Sequence, residues 1–170
     1  MIILEGPDLG GKTTIGERLE NLTEKKCYHT GGPPKNKEEF LQKVSKIPNN
    51  VICDRHPYIS EIVYGSMRKN EPYVDFKELS TFLKKENPLI LYCKPDSSFL
   101  REQLIYLKEK PHKPQDHVNN IKKYYELYLY KYEELMYEIL KYHNNIIKID
   151  FRMISHNILK GIVDKYKYFV

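Results

Sequence analysis

The chain has no tryptophan and only three cysteines among its 170 residues. Cys27, Cys53 and Cys93 are odd in number, widely spaced and without a C-x-x-C pair, which excludes a disulfide framework and a cysteine-based zinc site. Two of them lie in apolar runs and read as reduced core thiols, the habit of a cytoplasmic protein. No apolar run approaches the roughly 20 residues that a membrane span needs. No leader-like segment precedes the first strand signal, so a cytoplasmic location and no membrane partner are expected. There is also no block of like charge. The net charge of +5 is spread among interleaved lysines and acids, which suits anionic small molecules such as nucleotides and does not call for nucleic acid as a partner. His112 and His117, five apart with a proline between them, do not have a zinc spacing.

Glycine is scarce too, eight in all, yet three of the eight fall within six residues. Residues 6–14 read Gly-Pro-Asp-Leu-Gly-Gly-Lys-Thr-Thr, which satisfies the phosphate-loop spacing G-x-x-x-x-G-K-[ST]. The apolar run Met1-Ile2-Ile3-Leu4 comes before it and the helical pattern Ile15-Gly16-Glu17-Arg18-Leu19 comes after, the strand–loop–helix setting that the motif requires. In such a loop successive backbone N–H groups, from Gly6, Leu9, Gly10, Gly11, Lys12, Thr13 and Thr14, surround the phosphates of a nucleoside triphosphate, and the helix turns its positive end toward them. Lys12 reaches the β- and γ-phosphates, and the Thr13 hydroxyl is placed for Mg²⁺. ATP and Mg²⁺ are therefore the expected cofactors. An ordinary glycine turn would not require Lys-Thr at those two positions.

The rest of the chain alternates strand and helix signals. Strands are expected at 1–5, 26–30, 51–53, 89–93 and 146–149. Helices are expected at 12–24, 38–46, 57–69, 75–85, 96–108, 117–142 and 155–166. The pattern predicts a single α/β domain spanning 1–170, with a central parallel five-stranded sheet between helical layers and a short lid at about 108–116. Sites in such sheets lie beyond the carboxyl ends of the strands. Strand 51–53 runs into Asp54-Arg55-His56-Pro57 there. Asp54 is placed to hold the metal through water or to orient an acceptor, and Arg55 to grip an acceptor phosphate with its fork of donors. The alternative is that Asp54 caps the following helix and Arg55 pairs with a surface acid.

Residues Leu4 to Thr14, then Asp54-Arg55-His56 and Ser60, resemble the thymidylate kinase family and its viral nucleotide-kinase relatives. Leu91 to Arg101 and Ile149-Asp150 extend the resemblance in the same order. It implies a three-layer P-loop kinase fold and phosphoryl transfer from ATP to a deoxynucleoside monophosphate, dTMP or a modified dUMP. It implies that Asp8 contacts the acceptor sugar, that Arg55 holds its phosphate, and that Asp54 serves metal or acceptor. It also implies a homodimer, as is common among relatives. The family's Arg-Glu-Pro-Gly-Gly-Thr is reduced here to Gly31-Gly32, so its phosphate-binding arginine is missing; His29, Lys35 or Arg68 are the candidates to replace it. Some members carry Arg where this chain has Leu9. Here the lid must supply that cation, from Lys108, Lys110, Lys113 or Arg101.

Three other readings remain open. Viral thymidine kinases share the Asp-Arg-His motif but carry a Glu-Pro base after the second strand, which is lacking here. A kinase acting on hydroxyl groups of DNA or of modified bases is compatible with the charge. A nucleotide-gated switch fits Arg55 poorly. Tyr64 and Arg68 share a helix face by i, i+4 spacing and are candidates to line the acceptor pocket. Tyr124, Tyr125, Tyr128, Tyr130, Tyr132 and Tyr137 crowd one helix; packing of one face together with Leu127, Leu135 and Ile139 is preferred over an aromatic platform for bases.

Overall fold

The computed structural model describes residues 1–68, 72–108 and 115–167. Five strands form one parallel sheet: β1 (Ile2–Glu5), β2 (Cys27–His29), β3 (Ile52–Asp54), β4 (Leu89–Cys93) and β5 (Ile146–Ile149), in the order β2-β3-β1-β4-β5. The connecting helices are α1 (Lys12–Thr23), α2 (Lys37–Ser45), α3 (Pro57–Ser60), α4 (Ser66–Arg68), α5 (Phe76–Glu86), α6 (Ser97–Ile105), α7 (Gln115–Leu140) and α8 (His156–Lys167). The expected α/β architecture with a central five-stranded parallel sheet is what the chain adopts. Among the described residues no helix is long and apolar enough to cross a membrane.

The side-chain alternation of β1 and β4 divides the core in two. Ile2, Leu4, Leu89, Leu91 and Cys93 pack with Ile15 and Leu19 of α1 and Leu159 and Val163 of α8. Ile3, Ile90 and Tyr92 turn to the other face, against Leu79 and Leu83 of α5 and Tyr132, Leu135, Met136 and Ile139 of α7. All residues of β1 and β4 are buried, as covering both faces of a parallel sheet demands. A smaller cluster joins Leu100 of α6 to Ile121, Tyr125 and Leu129 of α7, and Leu9 of the phosphate loop packs onto it.

Local chemistry sets the helix starts. Asn36 accepts from Glu39 N–H at 2.8 Å and Asp96 from Phe99 N–H at 2.8 Å, while Asp75 and Glu78 form a reciprocal capping box. The expected single helix over 57–69 is interrupted: between α3 and α4 lies a π-helical turn, Glu61–Gly65. A Cβ on Gly65 would meet the Glu61 carboxylate, the end of a side chain one turn earlier. Leu127, expected on the packed face of α7, is 43% exposed, whereas Leu135 and Ile139 are buried. The buried stripe runs instead through Ile121, Tyr125, Leu129 and Tyr132, so Leu127 falls outside it.

Candidate active site

The phosphate loop bridges the end of β1 and the start of α1. Gly6 (φ 141°) and Gly11 (φ 82°) take backbone conformations that side chains disfavour. A Cβ on Gly6 or Gly10 would collide with the Cys93 carbonyl at the end of β4, and one on Gly11 with the Phe151 ring. Gly11 stands at the N-cap of α1 without any side-chain cap, so the first-turn N–H groups keep their donors for an external anion. The Lys12 ammonium folds back onto the carbonyls of Gly6 (3.0 Å) and Pro7 (2.6 Å). Burial, and then the nearby Arg55 charge, bring its pKa down to about 8. Thr13 is exposed in the first turn of α1.

Glu5, the last residue of β1, is fully buried. Its Oε1 accepts from His56 N–H at 2.6 Å and lies 3.5 Å from the Ser60 hydroxyl; its Oε2 accepts from the Tyr132 hydroxyl at 3.2 Å. Burial pushes its pKa up to about 7, against the opposing pull of Arg55. Arg55 comes directly after β3 with a positive φ of 65°, sparsely populated for arginine. Its N–H bonds Leu4 O at 3.0 Å. Nη1 donates to the hydroxyls of Tyr64 (2.7 Å) and Tyr132 (2.6 Å), and Nη2 lies 3.5 Å from Asp8 Oδ1. Burial would lower its pKa, but the phenols, Asp8 and Glu5 raise it, so the guanidinium stays charged.

Asp54 ends β3 beside His29, which ends β2; His29 Nδ1 lies 3.0 Å from Asp54 Oδ2. Asp54 does not cap the next helix. That position belongs to His56, whose Nδ1 accepts from Tyr58 N–H at 3.4 Å. His56 stacks on Phe82 and Tyr58, with centroids 4.2 and 5.7 Å away, and burial brings its pKa down to about 3, so it is a neutral part of the core. Arg55 likewise pairs inside the cleft rather than with a surface acid. Asp54 Oδ1 is buried without a hydrogen-bond partner. An unsatisfied carboxylate oxygen at this strand end fits a hydrated Mg²⁺ and, with the Thr13 hydroxyl, supplies the sparse oxygen set that this ion takes when phosphates complete its shell. Among the described residues no group of three or more His, Cys, Asp or Glu converges on a metal position of its own.

Two of these groups, Asp8 and Arg55, open onto a cleft of about 460 Å³. Asp8 and Arg55 stand on its wall together with Lys43, Ser60, Glu61 and Tyr64, and α7 closes it with Asn120, Ile121, Tyr124 and Tyr128. Tyr64 and Tyr128 lie with ring centroids 4.9 Å apart, and the Arg55 guanidinium sits 5.1 Å from the Tyr64 centroid. The tyrosines of α7 therefore divide. Tyr125 and Tyr132 are buried but aim their hydroxyls at the site, Tyr124 and Tyr128 line the cleft, and Tyr130 and Tyr137 face outward.

Sequence reasoning brings Lys12, Thr13, Asp8, Asp54, Arg55 and Tyr64 to one end of the sheet, and the structure does gather them there. Arg101 points elsewhere, in a two-pronged exposed pair with Glu126 at 2.7 and 3.0 Å. Lys108 is exposed. Lys110, Lys113, most of the expected lid and the Arg68 side chain lie outside the described residues. Of the candidates for the missing arginine, His29 is turned to Asp54 and Lys35 is exposed. Among the described residues the cation that lines the cleft besides Arg55 is Lys43 of α2, held to the Thr30 carbonyl at 3.3 Å and to the Gly32 carbonyl. Sequence reasoning misses Glu5 and Tyr132 as partners of Arg55. Glu5 is signalled by a carboxylate closing an apolar strand and by its place in the Glu-Gly-x-Asp run that the resemblance includes; Tyr132 has no signal beyond its helical stripe.

No family model matches the chain, and no curated protein matches it. Solved structures do. The YorR protein of Bacillus subtilis, in complex with phosphorylated GDP, aligns with a TM-score of 0.69 at 21% identity, covering 98% of this chain and 95% of that one. Deoxyadenosine kinase from M. mycoides with bound dCTP aligns at 0.59 and 14% identity, covering 99% and 100%. The same kinase with dCMP and dCDP aligns at 0.57 and 15%, covering 99% of each chain. At these identities what is shared is the fold, and it is shared over nearly the whole length of both chains.

Proposed function

We propose that this chain is an ATP-dependent kinase that phosphorylates a deoxynucleoside monophosphate to the diphosphate, dTMP or a modified dUMP being the acceptor that the sequence resemblance implies. The observation that carries the reading is Asp8. It belongs to the phosphate loop and also stands on the wall of the cleft, paired with Arg55, so the loop and a cation-bearing, tyrosine-lined cleft share one edge. A molecule with an anionic end and a flat end suits that cleft: phosphate toward Arg55 and Lys43, base among Tyr64, Tyr124 and Tyr128. The nucleotides carried by the similar folds, phosphorylated GDP, dCTP, dCMP and dCDP, support a nucleotide ligand.

Phosphoryl transfer asks the protein to align the reactants and balance charge. The loop N–H groups and Lys12 hold the donor phosphates. Arg55 fixes the acceptor phosphate, and Asp8 is placed for the sugar hydroxyl. An ionised phosphate acceptor needs no general base. Mg²⁺ held at Thr13 and Asp54 would supply neutralisation of the transferring phosphoryl's charge.

A second reading, a deoxynucleoside kinase, is favoured by the His29–Asp54 pair, which could take up a hydroxyl proton, and by the likeness to deoxyadenosine kinase. ATP consumption with Mg²⁺ against deoxynucleoside monophosphates, nucleosides and DNA separates them. Turnover with monophosphates supports the proposal; turnover with nucleosides or DNA alone transfers the assignment to a hydroxyl acceptor; hydrolysis without an acceptor returns the switch reading.

A further inference from the structure

Arg55 is the acceptor anchor in the proposed function, and any role of its neighbours in acceptor binding rests on that reading. Its Nη1 touches two hydroxyls, but the two are not equivalent. Tyr64 presents its phenol from the π-helical turn at the cleft wall, while Tyr132 presents its own from inside the core, with no exposed surface. A phenol so deeply buried must have its hydroxyl satisfied. Here the hydrogen-bond directions are dictated by chemistry: a guanidinium only donates and a carboxylate oxygen only accepts. Arg55 therefore donates to Tyr132, and Tyr132 gives its single proton to Glu5 Oε2 at 3.2 Å. Glu5 is in turn fixed by His56 N–H at 2.6 Å, and the next residue is the first glycine of the phosphate loop.

We propose that Tyr132 is the positioning residue for Arg55: its hydroxyl, held by Glu5, orients the guanidinium so that the edge facing Asp8 is presented to the acceptor phosphate. Tyr132 touches neither substrate and acts through the arginine. Three separate elements meet in this chain of bonds, β1 through Glu5, the corner after β3 through Arg55 and His56, and α7 through Tyr132. The arginine's unfavourable backbone φ of 65° is thus matched by a side chain restrained on several sides. The aromatic contacts that hold the Tyr132 ring, with Tyr64 at 5.8 Å and Tyr92 at 6.3 Å between centroids, remain if only the hydroxyl is removed.

The test compares Tyr132→Phe, Tyr64→Phe and Glu5→Gln in steady-state kinetics with ATP and the best monophosphate acceptor. Tyr132→Phe should raise the acceptor KM about tenfold, the loss expected for a hydrogen bond to a charged group, and leave the ATP KM within about twofold. Tyr64→Phe should raise it less. Tyr132→Phe combined with Glu5→Gln should be no worse than the poorer single variant, because both cut one chain of bonds. An acceptor KM unmoved by Tyr132→Phe, or both KM values rising together with a fall in melting temperature, would overturn the positioning role and leave the monophosphate-kinase reading intact. If the unaltered enzyme turns over no monophosphate at all, the functional reading falls and the positioning role falls with it.

Discussion

The two sides of this cleft are built in opposite ways. The side proposed for the triphosphate is one continuous stretch, Gly6 to Thr14, built from backbone N–H groups and from glycines pressed against Cys93 and Phe151. The side proposed for the acceptor is gathered from distant parts of the chain: Glu5, Arg55 and Tyr132 are linked across 127 residues, with Lys43 and Tyr64 from two further elements. A local site of this kind depends on spacing and on the few neighbours that its glycines press against. A gathered site depends on packing, so single hydroxyls and single turns matter.

The largest effects should come from cutting each side at its charge. Lys12→Ala and Arg55→Ala should each lower kcat/KM on the order of 10³-fold, the scale of losing a group that meets developing charge. Titration calorimetry with ATP distinguishes them: Lys12→Ala should lose ATP binding and Arg55→Ala should keep it. Full activity in Arg55→Ala would remove the acceptor-phosphate role. Next comes Gly10→Ala, which puts a methyl into the Cys93 carbonyl. It should cost about 2–3 kcal/mol of stability, read by thermal melting, with the acceptor side unchanged in design but the donor side lost.

Changing the pH should separate the two sides without any mutation. Burial raises the Glu5 pKa to about 7 from an ordinary 4.5. The chain from Arg55 through Tyr132 needs Glu5 ionised, so the acceptor KM should fall as pH rises through about 7. Stability moves the other way. A carboxyl with a raised folded pKa contributes stability that is complete below its unfolded pKa and lost as pH rises through about 7. Lys12, lowered to about 8, should give up its proton above that value, so ATP affinity should weaken as pH rises through about 8. Separate KM profiles for the two substrates read both effects on binding, and melting curves across the same pH range read the effect on stability. The smallest effect should be that of Arg101→Ala: its pair with Glu126 is exposed and screened by solvent, and kcat should change less than about threefold. A drop of about a hundredfold would instead make Arg101 the cation expected of the lid.

The same contrast explains what can be read from the sequence. Strand positions, the order of helices and the phosphate loop come from apolar runs and spacing, which are local properties. Asp54 and Arg55 are legible because the strand-end rule points to them. The π-helical turn at Glu61–Gly65 adds a residue to one turn without breaking the run of helical residues, and a helical stripe carries no trace of that. The helix cap goes to His56 rather than Asp54 because a buried imidazole between Phe82 and Tyr58 is set by tertiary stacking. Lys43 becomes a cleft residue only through the path of the chain after β2, and Tyr132 only once α7 packs against the face of the sheet.

Leu9 carries a consequence for how such a loop can evolve. It sits at the loop tip with φ 67° and packs onto the small cluster between α6 and α7. An arginine at this position would put a cation in the phosphate loop but would also take an apolar side chain away from the cluster shared by the two helices. Gaining that charge therefore means repacking the seam between α6 and α7, so loop chemistry and helix packing are tied together at this one residue.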